Sequence, residues 1–120
     1  MQTPATVVQA QLDAYNAQDI DALMRTYAPN ARQFALHEAV LAEGSDAIRA
    51  RFLTRFAEPD LHARLLSRVV LGNFVTDLEL VTRNFDDGLG TLEMLCIYEV
   101  VDGRIQNASF ATGSTTLLEG

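Results

Sequence analysis

At Leu61 the apolar residues of this chain change their spacing, and that switch limits what it can fold into more than any other feature. Before it, apolar side chains recur three and four residues apart, the spacing that lines them along one side of a helix. After it they alternate with polar ones, the spacing of strands that bury a single face. Val8, Leu12 and Tyr15 mark a first helix running to Ala17, with Thr3 as its cap and Pro4 in the first helical position. Asp19 caps a second helix, in which Ile20, Leu23, Met24 and Tyr27 stand at i, i+3, i+4 and i+7 before Ala28-Pro29-Asn30 ends it. Ser45 caps a third, with Ile48, Phe52 and Phe56 on one side and Glu58-Pro59-Asp60 stopping it.

Between these helices, residues 31–37 read as a short strand and Val40–Glu43 as a candidate second. Beyond Leu61, turn signals at Gly72-Asn73, Asp86-Asp87-Gly88 and Asp102-Gly103 divide the chain into strands at 61–71, 74–84, 91–101 and 104–112. Leu61, Ala63, Leu65, Ser67, Val69 and Leu71 share one face of the first of these, and His62, Arg64 and Arg68 share the other. Glu79, Glu93 and Glu99 are expected across from those cations as cross-strand ion pairs, forming the polar outer surface of the sheet. Three helices followed by an antiparallel meander make an α+β arrangement, with the helices on one face of a curved sheet. A length of 120 residues suits a single domain over 1–120 with a continuous core.

Composition removes several function classes. A net charge of −7 disfavours nucleic acid and anionic membrane surfaces, both of which need clustered cations. All nine basic residues are arginine, a hint of GC-rich coding and a bacterial source. The lone Cys96 forms no internal disulfide, residues 1–12 show no signal peptide and no stretch is long enough to span a membrane, so a cytoplasmic protein is expected. Two separated histidines and one cysteine offer no metal-ligand spacing, and no glycine-rich loop or GxSxG elbow occurs, so neither a metal nor another cofactor is expected.

Four motifs carry a resemblance that spans nearly the whole chain. They are Tyr15-Asn16-Ala17-Gln18-Asp19-Ile20-Asp21 between two helices and Tyr27-Ala28-Pro29-Asn30-Ala31 before the first strand. Glu43-Gly44 with Ala47-Ile48-Arg49 opens the third helix, and Tyr98-Glu99-Val100 with Asp102-Gly103-Arg104-Ile105 spans the last hairpin. In this order the chain resembles the NTF2-like superfamily, which includes SnoaL-like and ketosteroid isomerase-like proteins. The resemblance implies a cystatin-like cone, a twisted sheet rolled around the third helix with a cavity at its wide end, and often a homodimer through the outer sheet face. Fold alone selects no reaction within such a family.

The ketosteroid isomerases of that family use an aspartate base and an oxyanion hole of a tyrosine and a protonated aspartate. The resemblance places Ala35 at the base, Gln11 at the tyrosine and Cys96 at the second aspartate. Alanine moves no proton, so steroid double-bond isomerisation by that route is not expected. Other cavity groups follow from alternation. His37 shares a face with Ala35 and is a candidate general acid or base, or an exposed strand-end residue beside Glu38. Tyr98, which alternates with Met94 and Cys96, offers a hydroxyl to a ligand or to a neighbour in the core. Phe110 shares an inward face by alternation. The resemblance sets Tyr15 and Phe52 on the wall, with plain core packing as their other role. It sets Arg51 where it meets an anionic ligand, pairs with Glu43 or lies on a solvated helix face. The expected function is binding of a small, largely apolar molecule, with cofactor-free proton transfer of the isomerase or cyclase kind if chemistry occurs. The alternatives are a non-catalytic ligand-binding domain and a dimeric accessory module.

Overall fold

The computed structural model describes residues 2–118 as three helices and six strands. Helix α1 spans Pro4–Ala17 and α2 spans Ile20–Arg25. Strands β1 (Tyr27–Ala35) and β2 (Val40–Glu43) precede helix α3 (Ser45–Phe56). The meander follows as β3 (His62–Leu71), β4 (Phe74–Phe85), β5 (Gly88–Val101) and β6 (Arg104–Leu117). The sheet order is β2-β1-β6-β5-β4-β3, antiparallel except where β1 runs parallel to β6. This is the α+β cone that the motifs imply. Among the described residues, no helix is long and apolar enough to cross a membrane.

Local chemistry sets the helix ends. The Thr3 hydroxyl accepts the Thr6 N–H at 3.2 Å, and Asp19 accepts the Ala22 N–H at 3.1 Å, satisfying donors that a helix start leaves bare. Between α1 and α2, Asn16 donates to the Ala63 carbonyl at 2.9 Å and accepts its N–H at 2.8 Å. The side-chain amide acts as one more peptide group at the edge of β3 and fastens the helix link to the sheet. At α3 the cap is Gly44, with φ of 84°, and not Ser45. The Ser45 hydroxyl turns instead to the Pro29 carbonyl at 3.3 Å.

The first strand departs from the sequence expectation. It begins at Tyr27, so Ala28-Pro29-Asn30 lies inside β1 and does not merely close α2. Pro29 fits there because the pairing with β6 is irregular between Tyr27 and Arg32, which spares a ladder hydrogen bond it cannot donate. The strand also stops at Ala35, two residues short of His37.

The core lies between the helices and the concave face of the sheet. Val7 and Val8 of α1, Leu23 of α2 and Ile48 of α3 are buried against Val75 and Ile105. Each such side chain contributes about 1.5–3 kcal/mol by leaving water. Leu12, Leu61, Ala63 and Val81 form a second cluster beneath α1.

A bulge between Leu65 and Ser67 decides which β3 side chains join this interior. Leu65 lies opposite Glu79, whereas Arg68 lies opposite Asp77. The extra residue inverts the alternation, so Arg68 leaves the outer set and points inward on the far side of the bulge. Glu79 leaves the outer set too, being only 5 % exposed on the concave face. Among the described residues, none of the expected ion pairs to Glu79, Glu93 or Glu99 forms, and Arg64 lies opposite Leu80. The outer face carries Leu78, Leu80, Leu95 and Ile97 among its polar residues, a more apolar surface than the sequence reading anticipates.

Candidate functional site

A cavity of about 540 Å³ opens between the concave sheet, α1 and α3. Gln11, Tyr15 and Phe52 line it from the helices. Ala35, Met94, Cys96, Tyr98 and Phe110 line it from β1, β5 and β6. Ala35, Gln11 and Cys96, the positions that the resemblance sets against the isomerase acid–base residues, meet in one hollow. His37 lies outside the wall: it occupies the exposed turn after β1, with φ of 60°. The physical reason is the early end of β1, which breaks the alternation that would have continued from Gln33 through Ala35 to His37.

The apolar wall is built on aromatic packing. Phe52 meets Tyr15 edge-on at 6.1 Å between ring centroids, Tyr27 at 5.8 Å and Phe56 at 6.2 Å. Tyr98 meets Phe110 edge-on at 6.2 Å. Such offset pairs hold rings in place and leave their remaining faces to a ligand.

Polar groups gather at two stations. At the first, the Gln33 amide, 1 % exposed, accepts a hydrogen bond from Arg51 Nη1 at 2.6 Å. It donates from Nε2 to the Tyr27 hydroxyl at 3.3 Å. At the second, burial pushes the Glu79 carboxyl up to about 7, and the neighbouring Asp77 carboxylate pushes in the same direction. The Cys96 thiol and Arg68 oppose that rise without cancelling it. Asp77 is fully buried and held by Arg68 through two hydrogen bonds of 2.7 and 2.9 Å, so its charge is matched and that of Glu79 is not. Arg68 Nη1 donates in turn to the Gln9 side-chain oxygen Oε1 at 2.8 Å.

Three neutral donors share the cavity with Glu79. The Tyr98 hydroxyl reaches Gln11 Oε1 at 3.4 Å, and burial pushes both Tyr98 and Cys96 well up, so each keeps its proton. The Tyr15 hydroxyl, also raised by burial, lies within the electrostatic reach of Glu79 and makes no protein hydrogen bond among the described residues. Away from Glu79, Glu58 gathers Arg55 at 3.0 Å and Arg83 at 2.8 Å, which settles two of the cations lining the cavity. No group of residues suited to holding a metal occurs among those described.

Glu79 and Asp77 escape the sequence reading because the β4 pattern misleads. Thr76, Leu78 and Leu80 form its more apolar set, yet that set faces out. A usable signal existed in the turn. A two-residue turn at Asp86-Asp87 pairs Phe85 with Gly88, and counting back along both strands sets Asp77 opposite Cys96 and Glu79 opposite Met94. Directly paired residues share a face. The inward placement of Cys96 and Met94 thus carries both acids into the cavity.

The family model for the SnoaL-like domain matches residues 8–108. No curated protein matches the chain. Among solved structures, a cystatin-fold protein of Novosphingobium aromaticivorans is similar with a TM-score of 0.85 at 22 % identity, over 92 % of this chain and 99 % of that one. A candidate polyketide cyclase from Sinorhizobium meliloti has a TM-score of 0.72 at 26 % identity, over 88 % and 93 % of the two chains. Another, from Streptomyces antibioticus, has a TM-score of 0.77 at 19 % identity, over 92 % of each.

Proposed function

The chain belongs to the SnoaL-like domain family, whose fold hosts unrelated chemistries, and from its cavity we propose that it binds a small, largely apolar molecule and moves a proton on it without a cofactor. The observation that carries this reading is Glu79, a buried carboxyl with a pKa of about 7 on the wall of an aromatic cavity. A group titrating near neutrality is populated in both forms, so it takes a proton from one carbon and returns it to another with little loss in either direction. In this reading Glu79 abstracts the proton beside a carbonyl, and the unbonded Tyr15 hydroxyl donates to the oxyanion that forms. Tyr98 and Gln11 hold a second ligand oxygen. The work that Ala35 and Cys96 cannot do is thereby moved to β4.

The test is deuterium wash-in at the α-carbon of 2-tetralone in D₂O, followed by NMR. Wild type is expected to accelerate exchange above buffer, and Glu79→Gln to lower that acceleration by about 10²-fold or more. Acceleration that survives in Glu79→Gln refutes the assignment. Binding of the ketone with no acceleration at all favours the second reading, a non-catalytic carrier, which the absence of an acid at positions 35 and 96 supports.

Two further parts of the reading concern setting. Leu78, Leu80, Leu95 and Ile97 form a patch on the sheet face that the helices leave bare, and a second copy of the chain is the proposed partner there. The lone, buried Cys96 suits a reducing compartment, so the proposed location is the cytoplasm.

A further inference from the structure

Arg51 lines the cavity, and among the described residues no carboxylate answers its charge. Arg55 and Arg83 both hold Glu58, Arg68 holds Asp77, and Arg49 holds Asp21 at 2.9 Å. Among the described residues Arg51 has no such partner; its one side-chain bond is the 2.6 Å contact from Nη1 to Gln33. That contact is itself well fixed. Gln33 is buried, its other end is held by the Tyr27 hydroxyl, and Tyr27 packs on Phe52. A buried amide thus aims the guanidinium along the wall while most of its donors stay unused. Half-burial and the nearby Arg55 charge both disfavour the charged form of Arg51, a cost that an incoming anion would relieve. Glu38, exposed at the rim, forms no ion pair with it.

Arg51 on α3 and Glu79 on β4 line the same cavity, and Tyr27 feels the charge of each. The groups acting on Glu79 are Asp77, Cys96 and Arg68, whereas those acting on Arg51 are Arg55 and Tyr27. A ligand that meets both sets its anion against Arg51 and its reacting carbon against Glu79. Phe52, Met94 and Phe110 line the same cavity and offer an apolar body its wall. The free donors of one guanidinium form a planar fork, which matches a carboxylate better than it matches a bulky dianion.

Resting on the reading of the cavity as a ligand site, we infer that its substrate class is the apolar carboxylic acid, held by its carboxylate against Arg51 with its ring or hydrocarbon body along Phe52, Met94 and Phe110 towards Glu79. Arg51 is then the residue that selects the acid over its neutral analogues. The experiment compares 2-naphthoate with methyl 2-naphthoate at pH 8, read by naphthyl fluorescence, which no tryptophan of this chain obscures. Wild type is expected to bind the acid at least about tenfold more tightly than the ester, as a charge-assisted contact implies. Arg51→Gln is expected to abolish the preference while leaving the ester's Kd unchanged. Arg51→Lys, which keeps the charge without the fork, is expected to fall between them. Equal binding of acid and ester by wild type overturns the inference, whether or not either variant folds. A preference that persists in Arg51→Gln overturns it as well. Failure of wild type to bind either compound overturns the ligand-site reading itself, and this inference with it.

Discussion

Replacing Glu79 by glutamine should stabilise the protein at pH 8 and leave it nearly unchanged at pH 4.5. In the unfolded chain this carboxyl titrates at its ordinary value of 4.5, whereas in the folded chain it holds its proton up to about 7. The folded state therefore binds more protons between those values, and stability falls as pH rises through that window. Below pH 4.5 both states are protonated and nothing is lost. Above pH 7 the folded chain carries a buried charge, and the full penalty applies. At about 1.4 kcal/mol per pKa unit, a rise from 4.5 to about 7 costs about 3 kcal/mol. Glutamine keeps the shape and removes the charge, so the variant escapes the penalty. For a domain of this size that corresponds to roughly 10 °C in Tm. The assay is urea unfolding of both proteins, followed by circular dichroism at several pH values from 4.5 to 8. Subtracting the two curves cancels the titrating groups that do not sense Glu79. A difference that stays flat across that range would refute the placement of Glu79 in a poorly solvated site.

Arg68→Met leaves Asp77 charged and buried alone, and should cost about 3–5 kcal/mol in urea unfolding, with most of it regained when Asp77→Leu is added. Asn16→Ala removes both hydrogen bonds to Ala63 and should cost about 1–3 kcal/mol, with faster amide exchange at Ala63 reporting the local loss. Ile97→Glu sets a charge in the middle of the outer patch, and in sedimentation it should turn a dimer into a monomer. A wild type that sediments as a monomer would remove the second copy from the proposal.

Much of the architecture was open to a reader of the residues alone. Period, caps and turn dipeptides are local signals, and they act over a few residues whatever the rest of the chain does. Thr3 and Asp19 cap their helices as read, and the turns at Gly72-Asn73 and Asp102-Gly103 join the strands as read. Of the turn read at Asp86-Asp87-Gly88, Gly88 belongs to β5, which starts three residues before the expected 91. The cavity face of β5 was equally legible, because Met94, Cys96 and Tyr98 alternate without interruption between two identifiable turns.

Register and partners decided the rest. A bulge at Leu66 is invisible in the alternation of β3, yet it moves Arg68 from water to a buried pair with Asp77. Strand β1 stops at Ala35 because the chain must turn back into β2, and this leaves His37 in the open. The polar set of β4 faces inward because its direct neighbours on β5 do, even though its own leucines argue for the opposite. A carboxyl on an alternating strand has one pattern whether it meets solvent or an enclosed hollow. Only the walls supplied by α1, α3 and the neighbouring strands deny Glu79 its water, and that loss of solvation is what turns an ordinary glutamate into a group that titrates near neutrality.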